Sequence, residues 1–491
     1  MPTEPGTGDA VDTAIDRGLL SPVTVGFDAL TSDAEFAGCL VAAEVAVVRA
    51  WAAVGVAPQR VAERVSAALG WRGTGEPCDL SALDAFPLDQ LINDSVAGGN
   101  PVIPLVGVLR ERVPEDCRAW VHRGVTSQDI MDSVLMLLAA RAGAAALTGL
   151  RATEDHLAAF AARHRDDVCA ARTLTQQAVP TTVGLRASGW VRGVRRAGLR
   201  LEAALSELPA QLAGAAGTLA SFAEIARLEL GTRGSAEASA AAASASAATA
   251  AALALPTAHA RELGLCPPEG PWHTVRWPVT ELGDALAQTV DAVAVIAADV
   301  ATLSRSEIGE LAEGSGGGSS AMPQKRNPAR SVLIRSAALR APHLAATLHT
   351  AAALAVDERP DGAWHAEWPA LRELLRLACG ATGHAAELVA GLRTDPEAAR
   401  VNLARSRGLI VAERLAIVLG PVIGADRVRQ LVAAAGKGDL AALLRDEPLI
   451  AEAGIDIAAL LDPANYTGLA GEIVDASIRT HPTDDTRQET S

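Results

Sequence analysis

Residues Gly314 to Pro328 read GSGGGSSAMPQKRNP. Glycines let backbone N–H groups approach an anion closely. Ser319 and Ser320 add hydroxyls, and Lys325 adds a charge. Two uses fit this pattern. One is a linker whose Asn327-Pro328 caps and starts the next helix. The other is a loop that carries Ser319, Ser320 and Lys325 to a ligand. A second candidate is His122 to Asp129, HRGVTSQD, in front of a long apolar run. Thr126 or Ser127 can cap a helix there, and hydroxyls with free N–H groups at a helix N-terminus also suit a carboxylate. His122 is either a pocket residue or a structural histidine. A third candidate is Arg172 to Gly184, RTLTQQAVPTTVG, again rich in hydroxyls before a helical stretch. In PWHTVR, His273 and Arg276 serve either a second carboxylate or packing. His365, between Trp364 and Trp368, reads as an interhelical packing residue.

These candidates need long helices to hold them. The chain has 491 residues, of which 49% are apolar and only 3% aromatic. Much of the apolar share is alanine, which favours helix over sheet. From about Asp33 apolar residues recur with a helical period. Asp129 to Asp166 runs with almost no breaker. Pro180 to Leu208 is a second helical span, and Glu281 to Glu313 a third. In the third, Val293, Ile296, Val300 and Leu303 form the seam of a bundle helix. A fourth span runs from Asn327-Pro328 to Val356, where Pro342 should kink or split it. The Ala/Ser-rich stretch Ser235 to Leu255 reads as one more bundle helix, with disorder as the alternative. No alternating strand pattern stands out.

Composition also excludes function classes. A net charge of -15 makes the chain a poor partner for nucleic acid or an anionic membrane. The first residues lack a basic and then apolar leader, so no export signal is expected. No stretch of about 18 uncharged apolar residues is found; the most apolar run, Ala285 to Leu303, carries Asp291 and Asp299. Six scattered cysteines without a CxxC pair fit the reduced thiols of a cytoplasmic protein. No Cys/His/Asp group has metal-ligand spacing and no nucleotide-binding glycine pattern occurs. No metal or cofactor is expected.

Three hydroxyl-rich segments, each opening a long helix of an Ala-rich chain, are more specific together than singly. The chain resembles the aspartase/fumarase superfamily, whose signature GSSxMPxKxNP is matched without a gap at Gly318–Pro328. The likeness runs from about Leu19 to Ile478. GGNPVIPLV (with Asn100), WVHRGVTSQDIMDS, PWHTVR, ERPDGAWHAEW and GLIVAER are similar to the 3-carboxy-cis,cis-muconate cycloisomerase branch, near which nitrosuccinate lyases belong. The resemblance implies an all-α subunit in three parts around a long central bundle. The expected division is a flexible lead at 1–20, an N-terminal helical domain at 21–125, the bundle at 126–365, a C-terminal helical domain at 366–480 and a loose tail at 481–491. It also implies a homotetramer with active sites shared between three subunits. By the same resemblance Ser319 is the general base. Lys325 is catalytic and, with Asn327, holds a substrate carboxylate. Thr126 and Ser127 belong to the first loop of the site, and Arg172, Thr173 and Gln176 to the second. His122, Asn100 and Arg276 complete the expected substrate contacts.

Such enzymes remove a proton beside a carboxylate and let the β-substituent leave. Fixed donors must then steady a carbanion. Relatives often place a histidine general acid in the second loop; Leu174 and Gln177 stand there in this chain, and Gln324 replaces another frequent histidine. A leaving group already stable as an anion needs no such acid. The expected reaction is β-elimination from a substituted succinate to give fumarate, with nitrosuccinate losing nitrite as the named candidate. A cycloisomerase acting on the tricarboxylate 3-carboxymuconate is the alternative. A non-catalytic structural protein on the same scaffold is an alternative of another class.

Overall fold

The computed structural model describes residues 18–83, 85–231, 238–314, 317, 322, 325–435 and 438–479. Helix α1 (Asp33–Ala53) is buried on nearly every face. Shorter helices at Gln59–Ala68, Leu88–Gly98 and Val102–Arg112 follow. Then α2 (Ser127–Arg163) runs for 37 residues, about 55 Å at 1.5 Å per residue. Its start is set locally: Thr126 and Asp129 form a capping box, each satisfying the other's backbone N–H.

Four more long helices build the bundle: α3 (Val183–Ser206), α6 (Trp277–Leu303), α7 (Ala329–Ala353) and α8 (Gly362–Ala390). Helix α2 lies against α3 and α8, while α6 lies against α3, α7 and α8. Small residues allow close approach. At the first turn of α3, a Cβ on Gly184 would sit 2.7 Å from the carbonyl oxygens of Ala161 and His164, so that turn can abut the end of α2 only as glycine.

Several expectations change. The Ala/Ser-rich stretch is indeed a helix, α5 (Ala238–Leu263), but it packs on α1 and on α4 (Ala220–Gly231) rather than in the bundle seam. The third span starts earlier and ends at Leu303, followed by a two-residue strand, β3 (Leu311–Ala312). Helix α7 continues through Pro342. The main surprise is a hairpin of β1 (Val168–Thr173) and β2 (Gln176–Thr182) between α2 and α3. The end of its second strand, from Pro180 to Thr182, occupies residues expected to be helical. The β-branched Val179, Thr181 and Thr182 favour strand, and helix begins only where Thr182 caps the N–H of Leu185 at 3.0 Å.

The boundary expected at 365/366 falls inside α8, a single helix packed along the bundle. The separate C-terminal unit begins after it, where β4 (Arg393–Thr394) pairs with β3. That unit has its own core, including Ile410, Leu415, Leu431, Leu440 and Leu460. The helix Ala470–Ile478 returns to pack on α3 and α2.

By length and composition three helices could cross a membrane: α1, α2 and α6. In α1 and α2, 78% of the apolar window is buried in the fold; in α6 only 44% is. Among the described residues, α6 therefore leaves more of its apolar window partly exposed than α1 and α2 do.

One end of the bundle is tied by buried charge. The Arg276 side chain is 0% exposed, between Asp132 of α2 at 0% and Glu367 of α8 at 1%. Its Nη1 and Nη2 donate to Asp132 at 2.7 and 3.0 Å. Its Nη2 and Nε donate to Glu367 at 2.6 and 3.1 Å, and Nη1 also reaches the Trp272 carbonyl at 3.3 Å. All five guanidinium donors are used. Burial pushes the Glu367 carboxyl up, against the pull of Arg276. Trp364 Nε1 donates to Asp132 at 2.9 Å. We expect Arg276→Met to lower the unfolding free energy by about 3–5 kcal/mol, the usual cost of breaking a buried pair. Urea unfolding reads this as a lower midpoint. Removing Arg276, Asp132 and Glu367 together for apolar residues should cost less than the single change. A single variant as stable as the parent would show that the triad does not tie the helices.

Candidate active site

The loop before α2 is fixed at almost every residue. His122 and Gly124 have φ of +59° and +83°, so the chain turns sharply twice. Arg110 Nη2 donates to the Val121 carbonyl at 3.2 Å and Trp51 Nε1 to the Arg123 carbonyl at 3.1 Å. Ser221 Oγ donates to the Gly124 carbonyl at 2.6 Å. Arg123 pairs with Glu229 at 2.6 Å and lies over the Trp120 ring. Asp129, fully buried, accepts from the N–H groups of Thr126, Ala213 and Gly214 at 2.9–3.0 Å. It also bonds His273 Nε2 at 2.9 Å. Each bond draws on a different part of the chain, so Thr126 and Ser127 are held before any ligand arrives.

Arg359, from the connection between α7 and α8, donates to the Thr126 hydroxyl and, at 3.3 Å, to the Ala215 carbonyl. It is exposed. A guanidinium, two hydroxyls and the first N–H groups of a 37-residue helix make a seat for a carboxylate. His122 joins this end, its Nδ1 2.7 Å from Glu44 Oε1. Asn100 is 8% exposed and caps the helix Val102–Arg112 through the Val102 N–H at 3.1 Å. It also lines a cavity of about 430 Å³ with Met131, Leu135, Leu91, Phe36 and Trp368. Ser127 lies one helical turn before Met131, on the same face of α2.

The other expected residues lie at the far end of the bundle. Leu174 and Thr175 form the hairpin tip, both with positive φ; Thr173 and Gln176 flank it and are exposed. Arg172 grips Glu310 with Nη1 and Nη2 at 3.0 and 2.6 Å. Asn402 Nδ2 completes that knot with a bond to Glu310 at 2.8 Å. Gln177 Nε2 donates to the Asn402 carbonyl at 3.0 Å. Beside the hairpin, Gly317 and Asn327 exchange two backbone bonds of 2.9 Å, which close the base of the Gly-rich loop. Lys325 is exposed. Ser319 lies outside the described residues. Asn327 does not cap α7: the Glu313 carboxylate does, accepting from the Arg330 and Ser331 N–H groups at 3.2 and 2.8 Å.

One expected contact, Arg276, is therefore not available as drawn from the sequence. Arg276 is sealed in the core with every donor taken, and His273 is 4% exposed against Asp129. In Arg172 both Nη groups are committed to Glu310. The sequence reading missed Arg359, Glu44 and Glu310. Of these Glu44 carried a signal, as a lone acid in the apolar run CLVAAEVAVV.

The remaining candidates form two groups at opposite ends of α2, roughly 55 Å apart by the helical rise. No single chain can bring Thr126 and Lys325 to one small substrate.

A family model described as Lyase matches residues 27–265. The nitrosuccinate lyase of Streptomyces davaonensis is 41% identical over 94% of this chain and 95% of its own length. The 3-carboxy-cis,cis-muconate cycloisomerase of Pseudomonas aeruginosa is 35% identical over 89% of this chain and 90% of its own. In three dimensions the 3-carboxy-cis,cis-muconate lactonizing enzyme of Pseudomonas putida superposes with a TM-score of 0.77 at 30% identity, covering 94% of this chain and 96% of that one. With the signature loop, the helical bundle and these relatives in agreement, the chain belongs to the aspartase/fumarase superfamily as a lyase of its 3-carboxy-cis,cis-muconate cycloisomerase-like branch.

Proposed function

We propose that this enzyme is a β-eliminating lyase that converts nitrosuccinate to fumarate and nitrite. The observation that carries the choice of a leaving group already stable as an anion is the hairpin tip. Leu174 is apolar and Thr175 and Gln176 do not titrate near neutral pH, while the Gln177 amide is spent on the Asn402 carbonyl. A tip of that kind offers no proton to a leaving group. Nitrite, the base of a fairly strong acid, needs none. The likeness to a nitrosuccinate lyase over nearly the whole length of both chains supports the same choice.

In this reading one substrate carboxylate sits at the N-terminus of α2, on Thr126, Ser127 and Arg359. Ser319 removes the proton from the carbon next to a carboxylate. The C–H electron pair becomes the new C=C bond, and nitrite leaves with the electrons of the C–N bond. Lys325 and Asn327 steady the carboxylate that takes up the carbanion charge, the main contribution expected of preorganised donors. Thr173 and Gln176 contact substrate from the hairpin. The two ends of the bundle must come from different copies, so the active form is an assembly with shared sites, for which the family likeness supports a homotetramer. The half-exposed apolar face of α6, with exposed Val295, Val332, Leu339 and Leu199 on the bundle, supports that assembly. We place the enzyme in the cytoplasm.

The second reading is cycloisomerisation of 3-carboxymuconate, favoured by the likeness to the Pseudomonas enzymes. There the attacking group is a carboxylate, which also needs no acid from the hairpin.

Incubating the purified enzyme with each substrate separates the two. Fumarate and nitrite in equal amounts are expected from nitrosuccinate; lactone formed from carboxymuconate with no nitrite release would reverse the choice. Ser319→Ala should lower kcat by roughly 10²–10⁴, the usual share of general base catalysis, with a smaller change in KM. Lys325→Ala should worsen both. A Ser319→Ala enzyme within about tenfold of the parent kcat would eliminate this serine as the base. Light scattering at micromolar concentration should report four copies, and an active monomer would overturn the shared-site arrangement.

A further inference from the structure

Glu44 lies in the apolar run of α1 and is 1% exposed. Such a carboxylate is costly unless it serves a partner. Its Oε1 meets His122 Nδ1 at 2.7 Å, and its Oε2 is buried without a hydrogen bond. His122 is its one hydrogen-bonding partner among the described residues. The histidine is held in a left-handed conformation that favours glycine. The anchors on Val121, Arg123 and Gly124 support that conformation from three elements. The ring is 19% exposed, and Nε2 has no partner among the described residues. A buried carboxylate behind Nδ1 and an open Nε2 in front follow the logic of an oriented imidazole.

We propose that Glu44 is a positioning residue that clamps His122 so that its Nε2–H faces the anion seated at Thr126, Ser127 and Arg359. The imidazolium serves there as a charge-assisted donor, and no proton is transferred. The identity of the anion rests on the elimination reading above.

Three ionic groups face the ring: Glu44 on α1, Asp129 on α2 and Arg110 on the helix Val102–Arg112. Burial pushes the imidazole pKa down and so does Arg110. The Glu44 charge and hydrogen bond, with Asp129, outweigh them and hold it above the usual histidine value. The cation therefore persists to higher pH than on a free histidine and is lost as pH rises through that value. Anion binding should weaken on the same alkaline limb.

The test is the pH profile of kcat/KM with nitrosuccinate, beside calorimetric binding of succinate, which cannot eliminate. Glu44→Gln keeps a polar group of the same size but removes the charge. Its alkaline limb should move down by about 1–3 pH units, the usual effect of one close opposite charge. KM should rise above the limb while kcat holds below it. Glu44→Asp should fall between the two, and His122→Asn should erase the limb in both measurements. Circular dichroism and light scattering on each variant keep a folding defect apart from a pH effect. Should Glu44→Gln fail to fold, Glu44→Asp and His122→Asn decide alone. A folded Glu44→Gln enzyme with the parent limb overturns the proposal, as does a limb that survives in His122→Asn. If nitrosuccinate is not turned over but the succinate limb moves with Glu44→Gln, the elimination reading fails and the dyad stands. If succinate does not bind at any pH, the anion seat and the dyad fall together.

Discussion

The arrangement depends on one cation enclosed by two anions. Arg276 at the start of α6 bonds Asp132 on α2 and Glu367 on α8, all out of contact with water. Desolvating such groups is costly, and their attraction repays the cost only when geometry is good and every donor is filled. That condition admits one relative placement of the three helices. A slip of any helix by one residue would leave a charge unpaired in the core. Apolar packing alone would tolerate such a slip far better, since Ala-rich surfaces look alike at neighbouring registers. Asp129, one turn before Asp132, extends the same knot to residues 213–214 and to His273. Thr126 and Ser127 inherit their position from it.

At the opposite end Glu310 has the corresponding role. It is 2% exposed and joins Arg172 of the hairpin to Asn402 of the C-terminal unit. Glu313 nearby caps α7 and so ties the base of the Gly-rich loop to that helix. Each end of the bundle is thus organised around buried or half-buried carboxylates bound to the protein's own donors. The candidate residues at the two ends, Thr126, Arg359, Thr173, Gln176 and Lys325, lie at the edge of the bundle rather than in its core. The scaffold is shared by relatives named as a nitrosuccinate lyase and as a 3-carboxy-cis,cis-muconate cycloisomerase.

The long helices were legible because alanine and leucine recur with a clear period, and the start of α2 because its capping box is local. The signature loop and the TSQD segment were legible as motifs. What escaped was non-local or lacked a turn signal. The hairpin turns at Leu174-Thr175 with positive φ at both residues and neither Gly nor Asn to mark it. Arg276 looked like a ligand for a substrate because its partner Asp132 lies 144 residues away. Glu310 went unnoticed for the same reason, since its partner Arg172 lies 138 residues away. The division at 365/366 failed because α8 carries no break there, and Pro369 is accommodated inside the helix. Arg359 follows an acidic pair in an exposed connection, and nothing in its neighbours announced the Thr126 hydroxyl.

The length of α2 has a consequence for how activity responds to concentration. A reaction that needs both the Thr126 seat and the Lys325 loop is out of reach for a lone copy, however well folded, because a rigid rod of 37 residues separates them. If copies share the site as proposed, dissolving the contacts between them would abolish turnover with every helix intact. Specific activity would then fall on dilution, with helical content unchanged. In the proposed arrangement catalysis is a collective property, gained at assembly and lost before any unfolding begins.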